Sequence, residues 1–148
     1  FEIAMKENIP FTIHAGEADG PSSLKSAIKF GTKRIGHGVR CVEDDEVVKL
    51  IRDNNIYLEV CPTSNIDTKA FSSMKEHSIK KLVEEGLLVT ISTDNRTVSN
   101  TTLTKEYAIL QDTFNFTEED FLRFNLNAVE AAFISEEEKE ELRRRLIG

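Results

Sequence analysis

The sequence predicts an α/β chain: four parallel βα units followed by helices, forming one half of an eight-stranded barrel of the TIM type. Three observations carry this prediction. Short apolar runs of strand length recur at Phe11–Ala15, Arg34–His37, Ile56–Val60 and Leu88–Ser92. A helical segment separates each run from the next, which calls for parallel strands joined by right-handed crossovers. Each run also ends in residues able to do chemistry: His14 and Glu17, His37, the stretch Cys61–Asn65, and Asp94. Polar tips on successive strands describe one rim of a parallel barrel, where βα loops build active sites.

In chain order, Phe1–Asn8 reads as the last turns of an amphipathic helix, which suggests that the chain is the C-terminal portion of something larger. After the first strand, Gly20-Pro21-Ser22-Ser23 is a helix start, and the helix runs over about 22–30 with Gly31 at the expected C-cap. The second strand leads to a helix over about 44–54. Its apolar side holds Val47, Val48, Leu50 and Ile51, with acids at its N-terminus. Pro62 breaks the third strand, a loop follows, and a helix over about 76–85 ends at Gly86. Residues 1–96 therefore hold the βα units. Residues 97–148 are helical: one helix over about 102–113, a second capped by Thr117, and a third after Ser135, which has capping-box form.

Composition narrows the function classes. The chain has 148 residues, 39% hydrophobic and 30% charged, as expected of a water-soluble globular protein. Its 26 acids against 19 Lys and Arg give a net charge of −7, which argues against a nucleic-acid or anionic-membrane partner. No apolar run is long enough to cross a bilayer. Cys41 and Cys61 lack ligand or redox spacing and read as reduced core thiols, which suits a cytoplasmic location.

His14 and Glu17 flank Gly16, where the backbone can turn sharply, and His37 lies between Gly36 and Gly38, open to approach. Asp94 ends an apolar strand, where a carboxylate needs a cation or donors. Two histidines and an aspartate on three strand tips supply what a divalent cation such as zinc requires.

Four motifs now stand in line: His14-Ala15-Gly16-Glu17, Arg34-Ile35-Gly36-His37-Gly38, Cys61-Pro62-Thr63-Ser64-Asn65 and Ser92-Thr93-Asp94. In order and spacing this set resembles the adenosine deaminases, metal-dependent amidohydrolases built on (β/α)8 barrels. The resemblance implies zinc-dependent conversion of adenosine and 2′-deoxyadenosine to the inosine forms plus ammonia. It implies His14 and Asp94 as zinc ligands, Asp94 also as a catalytic residue in contact with the bound water, Glu17 as the acid that protonates purine N1, and His37 as the group that orients and deprotonates the metal-bound water. Glu17 must carry a proton for that task, which burial favours. Gly16 and Asn95 are implied as substrate contacts, Asn95 facing purine N7, where many family members carry a second aspartate. An Asn amide donates to N7 without needing a proton.

One zinc is expected per complete site, with two further histidines from an HxH motif on a first strand that this chain does not contain. His77, in a helix-start segment, reads as solvated and no substitute. Thr63, Ser64 and Asn65 read as a rim loop shaping the pocket. The tail Ser135–Glu141 reads as a solvated helix face, and Arg143–Arg145 as helix-end charge.

Three functions fit. The first is the C-terminal half of an adenosine deaminase acting on a small purine nucleoside. The second is a related deaminase of adenine or a modified adenosine, and the third an inactive truncated subdomain. Half a barrel leaves strand edges and an apolar interior open, so the missing half or another copy should cover them. The isolated chain is expected to self-associate, bind zinc weakly and be catalytically silent.

Overall fold

Four strands pair side by side in chain order, all parallel: β1 (Thr12–Ala15), β2 (Arg34–His37), β3 (Tyr57–Val60) and β4 (Leu88–Ile91). The computed structural model describes residues 1–148. Register aligns Thr12 with Arg34, Arg34 with Tyr57 and Tyr57 with Leu88, so the C-terminal tips of all four strands share one edge. Helices α2 (Pro21–Lys29), α3 (Asp45–Asp53) and α5 (Ile79–Glu84) make the crossovers, as the sequence predicts. Helix α1 (Glu2–Lys6) precedes β1, and α6 (Leu103–Phe114), α7 (Glu118–Ala131) and α8 (Glu136–Ile147) follow β4.

Local chemistry sets the helix boundaries. Pro21 opens α2 at its first turn. The Asp44 carboxylate accepts from Glu46 N and Val47 N at the start of α3. Thr117 and Ser135 form capping boxes with Asp120 and Glu138. The structure differs from expectation after β3. Pro62 does not lead into a loop but starts a short helix, α4 (Pro62–Asp67), because its missing N–H costs nothing at the first helical position. Helix α5 begins at Ile79, later than the sequence suggests, because His77 turns inward and its Nδ1 accepts the Ile79 N–H at 3.0 Å.

The core lies between the sheet and its helices. Alternation along the strands sends Ile35, Leu58, Val60 and Val89 to the helical side, where they pack with Leu24, Val47, Ile51, Ile79, Leu82, Leu110 and Phe124. The opposite face corrects the expectation of an apolar open interior. It carries Thr12, His14, Arg34, Gly36, Tyr57, Glu59, Leu88 and Thr90. Thr12 donates to Glu59 at 2.8 Å, and Arg34 pairs with Glu59 at 3.2 Å. The Arg34 guanidinium also donates to Ala131 O and lies 3.7 Å from the Phe133 ring centroid, tying the end of α7 to the lower end of β2. Asn127 of α7 donates to Val89 O on β4 at 2.8 Å. No helix is long and apolar enough to cross a membrane.

Candidate active site

The strand tips share an unusual backbone. His37 and Asp94 end β2 and the turn after β4 with φ of 67° and 53°, in the left-handed region that costs most residues energy. Glycine is required at two neighbours. Gly16 has φ 70°, and a Cβ there would lie 2.7 Å from Leu24 Cδ1. Gly38 has φ 69°, and a Cβ there would lie 2.6 Å from Leu58 Cδ2. These turns fold the chain back so that residues after the strands point over the sheet edge.

Glu17, 6% exposed, lies at the centre. Its Oε1 accepts from Asn65 Nδ2 at 2.7 Å and from Thr68 Oγ1 at 2.9 Å. Its Oε2 lies 3.2 Å from His14 Nε2. His37 is buried beside it, with Nδ1 3.0 Å from Asn65 Nδ2 and 3.4 Å from Glu17 Oε1. The His14 and His37 rings stand 4.3 Å apart. Gly36, in register with His14, leaves the neighbouring strand position without a side chain. Burial lowers the His37 pKa from its ordinary value, outweighing the opposite pull of Glu17.

Asp94 closes the other side. Its Oδ2 accepts from Ser64 Oγ at 2.8 Å and faces His37 Nε2 at 4.0 Å, with the carboxylate about half exposed. A cavity of about 680 Å3 opens beside Asp94, lined by Ser92, Thr93, Arg96, Thr102 and their neighbours, large enough for a drug-sized ligand. Candidate metal-ligand atoms of His14, Glu17 and His37 lie within 4.8 Å of one another. That trio differs from the His14 and Asp94 pair expected from the sequence. Imidazole nitrogens and carboxylate oxygens in one cluster are the donor set zinc takes, so the residues present fit such an ion.

The structure corrects two sequence expectations here. His77 is not solvated: it is 3% exposed, under the Phe71 ring at 4.6 Å, and its Nε2 lies 3.1 Å from Asn65 Oδ1. Burial lowers its pKa to about 4. Asn65 is not on a rim loop; it is fully buried within α4 and touches Glu17, His37 and His77. Its partner Thr68 carried a findable signal, since a helix opened by Pro62 sets residues 65 and 68 on one face. Asn95 is exposed and stands apart, its Oδ1 accepting from Thr97 N and Val98 N at 3.1 Å. That leaves its NH2 uncommitted to the turn. Cys41 and Cys61 are free and buried, and burial pushes both thiols up to about 12, which removes them as nucleophiles.

Comparison with known proteins shows the family and the fold. A family model described as adenosine deaminase matches residues 1–148. The adenosine deaminase of Lacticaseibacillus casei is 44% identical over 145 residues, covering 98% of this chain and 43% of that protein. The chain therefore spans less than half the length of that curated relative. The N6-methyl-AMP deaminase of Arabidopsis thaliana superposes with a TM-score of 0.88 at 29% identity, over 99% of this chain and 43% of the other. The adenine deaminase of Arthrobacter aurescens gives 0.94 at 24% identity, over 99% and 45%, a likeness of fold. With a match that runs through every βα unit from first residue to last, the chain belongs to the adenosine deaminase family.

Proposed function

We propose that this chain supplies the strand-tip residues of a zinc-dependent hydrolase that deaminates adenosine and 2′-deoxyadenosine at C6, releasing ammonia. The observation that carries the reading is the buried Glu17 carboxyl, held by Asn65 and Thr68 between His14 and His37, with Asp94 4.0 Å beyond His37. His14 and Asp94 would hold the zinc, together with two histidines from outside this chain. A bound zinc brings the pKa of its water near neutrality, so that hydroxide is available near pH 7.

The chain's own residues do the remaining work. Glu17, screened from solvent, delivers a proton to purine N1, which draws electron density from the ring as oxygen adds at C6. His37 Nε2 and Asp94 Oδ2, 4.0 Å apart, flank the space from which that oxygen approaches and set its direction. Ser64 holds the Asp94 carboxylate in that direction. Asn95, its carbonyl fixed by Thr97 and Val98, offers its NH2 to N7, and Gly16 lets the substrate lie close to the backbone.

A second reading, deamination of adenine or an N6-modified adenosine, draws on Asn95, where the resemblance to adenosine deaminases implies a second aspartate in many members, and on the structural likeness to the Arabidopsis and Arthrobacter enzymes. The identity to adenosine deaminases favours the first reading. Assaying the intact protein on adenosine, adenine and N6-methyl-AMP separates the two. The largest kcat/KM belongs to adenosine on the first reading and to another substrate on the second.

Two free, buried thiols fit a reducing cytoplasm. The net charge of −7 disfavours a nucleic-acid or anionic-membrane partner. Taken alone, the 148 residues self-associate through open strand edges and hold zinc weakly, without turnover.

A further inference from the structure

A buried run of hydrogen bonds from α5 to the site leaves no choice of direction. A backbone N–H only donates, so His77 Nδ1, 3.0 Å from Ile79 N, accepts. The ring is neutral, so its single proton sits on Nε2 and is donated to Asn65 Oδ1 at 3.1 Å. That fixes the Asn65 amide with its NH2 toward the strand tips. One N–H goes to Glu17 Oε1 at 2.7 Å and the other to His37 Nδ1 at 3.0 Å. The opposite His37 tautomer would set Nδ1–H against the Asn65 hydrogens and leave it only the longer 3.4 Å contact to Glu17.

We propose that His77 is a positioning residue which, through Asn65, holds His37 in the Nε2–H tautomer, so that the nitrogen facing Asp94 is a hydrogen-bond donor. The tautomer follows from the hydrogen bonds alone; its consequence for turnover rests on the deaminase reading. The resemblance to adenosine deaminases implies that His37 both orients and deprotonates the attacking water. A nitrogen that already carries a proton does the first and not the second. The acceptor facing the same space is Asp94 Oδ2. Neither Asn65 nor His77 reaches the sheet edge: both are buried, and each acts only through the next group along.

The test reads the imidazole nitrogens directly. Long-range 1H–15N correlation of the intact protein labelled with 15N-histidine, with His37 assigned by its loss in His37→Ala, should show His37 Nδ1 unprotonated at neutral pH. A proton on Nδ1 overturns the proposal without any variant being made. His77→Phe keeps a ring against Phe71 but removes the donor. It should let His37 populate both tautomers and lower kcat by about 10–100-fold, with KM for adenosine within about threefold. His77→Gln, whose NH2 takes the place of Nε2–H, should restore the single tautomer and most of kcat. A single Nε2–H tautomer persisting in His77→Phe, or no recovery in His77→Gln, also overturns the proposal. If no form of the protein turns over adenosine, the deaminase reading fails, and the spectrum still decides the relay.

Discussion

Asn65 reaches Glu17 across 48 positions of sequence, its Nδ2 donating to Glu17 Oε1 at 2.7 Å. The bond joins helix α4 to the loop after β1, and Thr68, one helical turn along, donates to the same oxygen at 2.9 Å. Two donors from one helix face fix the direction of a buried carboxyl, so the other oxygen, Oε2, is presented to His14 Nε2 at 3.2 Å. The site is thus held from behind by a helix, with its reactive groups on strand tips.

Replacing Asn65 with Leu strands the His77 donor and removes one of the two donors to Glu17 Oε1. We expect a loss of about 1–3 kcal/mol in stability, because the His77 donor loses its partner and Glu17 Oε1 keeps only the Thr68 hydroxyl. Thr68→Val should cost less, about 0.5–1.5 kcal/mol. Urea unfolding gives both values. An Asn65→Leu protein as stable as the parent would mean that the amide does not hold this network.

Glu17→Ala and His37→Ala in the intact protein should each lower kcat by about 100–10,000-fold while the circular dichroism spectrum is kept, since each group handles or directs a proton in the transition state. Turnover within tenfold of the parent would remove that residue from its assigned role.

For Asn95→Ala in the intact protein we expect purine binding to weaken by about 1–3 kcal/mol, the cost of leaving the N7 acceptor without its donor. The mutation also frees the turn at Thr97 and Val98, so the comparison must be made with 7-deazaadenosine, which lacks N7. Equal losses for the two ligands would place Asn95 away from N7.

His77 makes stability depend on pH. Its pKa is about 4 when folded, whereas an unfolded imidazole titrates near pH 6.5 (approximately). Between about pH 6.5 and 4 the unfolded chain binds more protons, so stability falls as pH falls and is fully present above that window. The loss reaches about 3 kcal/mol at the lower end. Burial lowers His37 in the same sense and adds to the slope. Urea midpoints followed from pH 7 to 4 should drop in the parent and drop less steeply in His77→Phe. Parallel slopes would show that His77 is not held neutral.

The four strands and their crossovers were legible because an apolar run of strand length followed by a helical stripe has few other solutions. The strand-tip motifs marked His14, Glu17, His37 and Asp94 for the same reason: each interrupts an apolar pattern just where the chain turns. What escaped were groups whose role depends on long-range contact. Asn65 and His77 look like surface polar residues in sequence, and only folding α4 under the strand tips buries them. Glu106 is similar. It sits in the first turn of α6, yet it is fully buried, accepting from Thr63 N at 3.0 Å and Thr101 Oγ1 at 2.6 Å, so it caps α4 from another helix. The polar open face escaped because Arg34 and Glu59, on the adjacent strands β2 and β3, meet only once the register between those strands is set.

Deamination of adenosine by the intact protein, followed as ammonia release for the parent and Glu17→Gln side by side at equal zinc content, tests the central claim most directly. The account predicts robust turnover by the parent and a loss of about 100–10,000-fold in Glu17→Gln, an isosteric change that removes only the proton donor. Equal turnover by the two proteins, or none by a zinc-loaded parent, would contradict it.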